Sequence, residues 1–88
     1  MIIKPVLYIK EGCPWCNEAL SFFENLGINL ELKDVNQNIL DMHRLIEISG
    51  QNLTPTFVLG DFVVADFSID EFKEQINQAP EIKKRLGL

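Results

Sequence analysis

Cys13 and Cys16, in the run Cys13-Pro14-Trp15-Cys16, are the only two cysteines of this 88-residue chain. A pair two residues apart has three uses: part of a metal site, inert core thiols, or a dithiol that cycles with its disulfide. A closed structural zinc site normally takes four protein ligands, and only His43 remains here as a further one. Free cysteines are often simply buried as small apolar side chains. The flanking sequence favours exchange. A strand-like apolar run leads into Cys13 and a helical pattern follows it, so Pro14 opens a helix at the position where its missing N–H costs nothing. The unpaired N–H groups of that first turn stabilise a thiolate on Cys13. Cys16, one turn in, is placed to attack a mixed disulfide formed by Cys13.

Residues around the pair extend this chemistry. Lys10, three positions before Cys13, either adds positive charge beside the thiolate or is an ordinary exposed lysine at a strand end. Trp15 lies on the exposed side of the turn, where an aromatic ring lines a docking groove or shields the site. Tyr8 is expected to pack in or beside the sheet and is given no catalytic role. His43, at the rim of a helix's apolar arc, reads as a partly buried surface histidine and not as a base.

The elements that must position these groups follow from periodicity. Lys4 to Ile9 predicts an interior strand through its apolar run Val6-Leu7-Tyr8-Ile9. Pro14 to Leu26 predicts a helix with Cys16, Ala19, Leu20, Phe23 and Leu26 on one face, capped by Gly27. Leu30 to Val35 is a weaker strand suited to an edge. Asn38 to Ser49 predicts a second helix closed by Gly50, with an apolar arc of Ile39, Met42, Leu45 and Ile46 and with Asp41, Arg44 and Glu47 facing away. Thr54-Pro55 leads into a hairpin, Phe57 to Ala65, turning at Gly60-Asp61. Ser68 with Glu71 is a capping box that opens a third helix carrying Ile69, Phe72, Ile76 and Ala79. Pro80 interrupts it, and Ile82 and Leu86 mark a short closing helix. The order demands a right-handed parallel crossover followed by antiparallel strands, with helices on both faces of a mixed sheet.

Composition narrows the function. The chain is expected to form a single domain over residues 1–88, with a compact core from a 47% apolar content that includes six Phe. No apolar run approaches the roughly 20 residues of a membrane-spanning helix. Met1 to Pro5 is too short ahead of the first strand for a signal peptide. A formal charge of −5, with eight Lys and Arg that form no patch in sequence, disfavours nucleic acid or an anionic membrane as partner. A cytoplasmic monomer is expected, and in a reducing cytosol two closely spaced cysteines are more often reactive than structural.

The early strand, Lys10, Cys13-Pro14-Trp15-Cys16, and Thr54-Pro55 with the hairpin and helix after it resemble the glutaredoxins of the thioredoxin-like superfamily over nearly the whole chain. The resemblance implies an α/β fold of thioredoxin-like, glutaredoxin type: a four-stranded mixed sheet flanked by three main helices and a short C-terminal one. It also implies a cis Pro55 beside the cysteines, and a Thr54 backbone free to pair with an extended substrate peptide or glutathione. The implied activity is reduction of protein or glutathione mixed disulfides, with Cys13 as nucleophile and Cys16 as resolving thiol. No cofactor would be tightly bound, and glutathione would be an electron donor.

Where typical glutaredoxins carry a Gly-Gly pair and then an acidic residue that holds glutathione's amino end, this chain has Ala65-Asp66-Phe67-Ser68. That segment looks closer to the small glutaredoxin-like redoxins that take electrons from thioredoxin reductase and serve ribonucleotide reductase. A glutathione-coupled enzyme would use a groove around Lys10, Trp15, Thr54 and the turn into the third helix, with Ser68 and nearby N–H groups receiving a carboxylate and Asp66 opposing it. A protein reductase would dock over Trp15, Pro55 and Phe67. Two further alternatives are a thioredoxin-like binding module whose cysteines are incidental, and an iron–sulfur assembly module in which Cys13 of two subunits and glutathione hold a cluster.

Overall fold

The structure, a computed structural model, describes residues 4–88; the expectation for Met1 to Pro5 therefore lies largely outside the described residues. Four strands form one sheet in the order β2-β1-β3-β4: β1 Val6–Ile9, β2 Glu31–Asp34, β3 Thr56–Leu59 and β4 Phe62–Ala65. β1 pairs parallel with β2, while β1–β3 and β3–β4 are antiparallel. The helices are α1 Pro14–Asn25, α2 Ile39–Ser49, α3 Ile69–Asn77 and α4 Pro80–Arg85. This is the expected mixed α/β architecture, with β1 in the interior and β2 at an edge.

Strand alternation divides the core between two faces. Leu7, Phe57, Leu59 and Val64 point to one face and bury against Ala19 and Phe23 of α1, Phe72 and Ile76 of α3, and Phe67. Ile82 and Leu86 close that side. The opposite face is thinner, with Tyr8 and Val35 buried against Leu45 of α2 and flanked by Val6, Met42, Ile48 and Val58. Phe23 stacks on Phe57 at 5.3 Å, and both meet Phe72 edge-on at 5.0 Å. Geometries of this kind add to the burial of the rings themselves.

The turns follow their local chemistry. Leu59 lies opposite Phe62, leaving Gly60-Asp61 as a two-residue hairpin connection with Gly60 at φ 59°. Gly50 ends α2 at φ 73°, its N–H donating to the Ile46 carbonyl. Ser68 and Glu71 form the reciprocal capping box at α3.

One helix buries a different stripe from the expected arc. Ile39 and Ile46 of α2 are 67% and 44% exposed, while Ile48 joins Met42 and Leu45 in facing the sheet. His43 is fully on the exposed side. The helix contacts the sheet through the narrow face of Met42, Leu45 and Ile48, so hydrophobicity alone does not mark the buried side. Accordingly, Leu45→Ala is expected to cost about 2–5 kcal/mol, whereas Ile39→Ala should stay within about 0.5 kcal/mol. Urea unfolding midpoints of the two variants check this.

Candidate active site

β1 ends at Ile9, and the chain turns through Gly12, at φ 78°, to bring Cys13 to the head of α1. Cys13 is the N-cap of that helix, with extended φ −87° and ψ 112°, and Pro14 occupies the first turn. The capping atom is the sulfur itself: the Cys16 N–H donates to Cys13 Sγ at 3.2 Å. N-cap positions normally use a side-chain oxygen for this bond. The first turn of α1 carries no acidic residue, unlike those of α2 and α3, so no carboxylate competes for the positive end of the helix.

Thr54 approaches from the other side, with its peptide bond to Pro55 cis. Its hydroxyl donates to Cys13 Sγ at 3.8 Å, and its carbonyl lies 3.9 Å from the same sulfur as acceptor for the thiol. The loop before it is tied down by Gln51, whose amide donates to Thr56 Oγ1 at 3.3 Å and whose Oε1 accepts from the Leu53 N–H. Thr56 Oγ1 in turn donates to the Leu53 carbonyl at 3.0 Å. Lys10 Nζ reaches this loop and donates to the Asn52 carbonyl at 2.9 Å.

The two thiols are free and their environments push them apart. Burial acts upward on Cys13, but hydrogen bonds from Cys16, Thr54 and the Trp15 backbone outweigh it and hold the thiol below its ordinary value. Cys16 is only 1% exposed; burial, followed by its hydrogen bond to Cys13, raises it. The charge of Lys10 is not among the leading contributions to either thiol. Its bond to Asn52 gives it a place in the loop brace. A partly exposed, thiolate-prone sulfur beside a buried neutral thiol is the electronic arrangement that ordered exchange requires.

The remaining sequence candidates separate into two groups. Trp15 is 56% exposed, between Pro14 and Cys16. Asp66, at φ 49°, is exposed directly after β4. Phe67 and Pro55, in contrast, are buried, so neither offers the aromatic or apolar docking surface expected of it. Phe67 instead packs on Phe72 at 5.3 Å and donates its N–H to the Pro55 carbonyl at 3.3 Å. Ser68 is occupied by its capping box. Leu53, 48% exposed and next to Thr54, adds an apolar side chain at the site that no sequence signal marks, since a lone leucine in a loop has no pattern to betray it. Among the described residues, no group of three or more His, Cys, Asp or Glu side chains is arranged to hold a metal ion, and no helix is long and apolar enough to cross a membrane.

Because the Cys13 thiol is shifted downward, its alkylation rate should reach half its plateau at a pH below that of an ordinary thiol, and Cys16 should respond only above it. Thr54→Val removes a donor to the sulfur and is expected to move the Cys13 midpoint up. Lys10→Met should leave it in place. Iodoacetamide rates followed against pH in the three proteins measure these shifts.

Comparison with known proteins accords with this geometry. The glutaredoxin family model matches residues 6–64. A thioredoxin-like protein solved by crystallography superposes with a TM-score of 0.74 at 28% identity, covering 82% of this chain and 99% of its own. A glutaredoxin from Archaeoglobus fulgidus gives a TM-score of 0.73 at 24% identity, covering 85% and 87%. The glutaredoxin-like NrdH-redoxin of Escherichia coli gives 0.65 at 17%, covering 81% and 93%. These last two are likenesses of fold. A search of curated proteins gave no match. With a family model spanning the dithiol, both central strands and most of the hairpin, the chain belongs to the glutaredoxin family and is a thiol–disulfide oxidoreductase of glutaredoxin type.

Proposed function

We propose that this protein reduces disulfides of other proteins through Cys13, with Cys16 resolving the intermediate. The Cys13 thiolate attacks one sulfur of a substrate disulfide, forming a mixed disulfide and expelling the other sulfur as a thiolate that takes a proton. Cys16 then gives up its proton and attacks Cys13 Sγ. The second substrate sulfur leaves as a thiol, and the two electrons of the dithiol have passed to the substrate. The observation that carries this reading is the 3.2 Å bond from the Cys16 N–H to Cys13 Sγ, which stabilises the attacking thiolate. Thr54 supports it, because its N–H makes no backbone hydrogen bond among the described residues and is free to pair with an extended substrate. The exposed Trp15 and Leu53 supply apolar contact on either side.

A second aspect concerns the electron donor, where glutathione and a flavoprotein such as thioredoxin reductase are the two candidates. A glutathione carboxylate would need the start of α3. There the Ser68 N–H already donates to Glu71 Oε1 at 3.0 Å, and the Ser68 hydroxyl accepts from the Glu71 N–H at 3.3 Å. Asp66 and Asp70 add charge of the same sign. This favours a protein dithiol as donor, docking on Trp15 and Leu53.

Two experiments test these statements. Cys13→Ser should reduce exchange to the uncatalysed background, and Cys16→Ser should accumulate mixed disulfides with substrate, seen as mass adducts that a reductant removes. Wild-type rates in the Cys13→Ser protein would refute the mechanism. The oxidised protein should be reduced rapidly by thioredoxin reductase with NADPH and slowly by excess glutathione. Faster reduction by glutathione would overturn the donor assignment.

A further inference from the structure

Asp66 occupies a position where the backbone itself would favour glycine. It is the only non-glycine residue with positive φ among the described residues, at φ 49°, in the left-handed region that Asp and Asn tolerate better than other side chains. Its neighbours hold it firmly. Ala65 lies opposite Thr56 in the β3–β4 ladder, and Phe67 is buried in the aromatic core with its N–H on the Pro55 carbonyl. Asp66 is therefore fixed beside Pro55, one residue from Thr54, whose hydroxyl touches the reactive sulfur. Asp66 is exposed, and neither of the two ion pairs among the described residues involves it.

The two ion pairs among the described residues both lie away from Asp66. Lys33 pairs with Glu31, Arg44 with Glu47, and Lys10 is bound to the Asn52 carbonyl. Among the described residues no ion pair reaches Asp66, and the adjoining start of α3 carries Asp70 and Glu71. A substrate strand paired along Thr54 would run past this acidic rim with its own side chains alternating toward and away from it.

We propose that Asp66 is a specificity-determining residue that selects disulfides whose reacting cysteine is flanked by lysine or arginine, and disfavours those flanked by carboxylates. This rests on the dithiol-exchange reading above and specifies the substrate class for that same site. The interaction is an exposed, salt-screened one, so it sorts partners by a modest factor and leaves the chemistry at Cys13 untouched.

The test uses two short peptides with a single cysteine, one flanked by lysines and one by glutamates, each as a mixed disulfide with the same chromogenic thiol. Reduced protein is mixed with each peptide in a single turnover, with no donor present, and the second-order rate constants are compared. At low ionic strength the wild-type protein should prefer the lysine peptide by about fivefold, from charge interactions of ordinary exposed strength, and about 0.5 M salt should compress the ratio. Asp66→Asn keeps a residue suited to the left-handed backbone and should bring the ratio below about twofold, with the Cys13 alkylation rate unchanged. Glu81→Gln, which removes the same charge in the first turn of α4 beyond the far end of α3, should leave the ratio as in the wild type. An Asp66→Asn ratio equal to the wild-type ratio, or an equal drop in Glu81→Gln, overturns the proposal. Failure of both peptides to react faster with wild-type protein than with Cys13→Ser would instead refute the exchange mechanism, and the proposal with it.

Discussion

One hydrogen bond, from the Cys16 N–H to the Cys13 sulfur, ties the fold of this protein to its chemistry. A helix start has N–H groups that need an acceptor, and most proteins supply a hydroxyl or carboxylate oxygen. Here the acceptor is the sulfur that the proposed exchange uses as its nucleophile. The helix is best capped when the sulfur is ionised, and the sulfur is best ionised when the helix is formed. Pro14 supports the arrangement by starting α1 with a fixed φ and no N–H to satisfy, while the absence of acidic residues in the first turn leaves the positive end of the helix to the thiolate.

A single aromatic cluster keeps the parts of the site in register. Phe23 belongs to α1, which begins at the cysteines; Phe57 belongs to β3, which begins just after Thr54-Pro55; Phe72 belongs to α3, which begins just after Asp66 and Phe67. These three rings are mutually within 5.3 Å. The chemistry sits at the starts of the three elements, and the packing that fixes their relative positions sits within them. Rigid elements with reactive ends are a common way to hold functional groups in place. The polar brace Gln51–Thr56–Leu53 does the same for the loop that carries Thr54.

Much of this was legible in the residues themselves. Cys13-Pro14-Trp15-Cys16 after an apolar run specifies a dithiol at a helix start because strand, proline and helix periodicity agree. Ser68 with Glu71, Gly60-Asp61 and Gly50 each mark a boundary by local chemistry, and each boundary lies where they place it. Tertiary geometry decided the rest. Ile39 and Ile46 look like core residues by helical spacing, yet α2 meets the sheet through Met42, Leu45 and Ile48. Phe67 resembles a surface aromatic beside a site, but its backbone anchor to Pro55 turns its ring inward. Lys10 reads equally as a charge beside the thiolate or as an ordinary exposed lysine, and the fold places its ammonium on a carbonyl across the loop. Contacts distant in sequence set all three, and no local pattern records them.

Ordered exchange at this site depends on the two thiols being unequal. Fully reduced protein at neutral pH, given less than one equivalent of an alkylating agent for a short time, should carry a single label, and peptide mapping by mass spectrometry should place nearly all of it on Cys13. Comparable labelling of Cys13 and Cys16, or labelling concentrated on Cys16, would contradict a thiolate held at the head of α1 and a buried thiol waiting behind it.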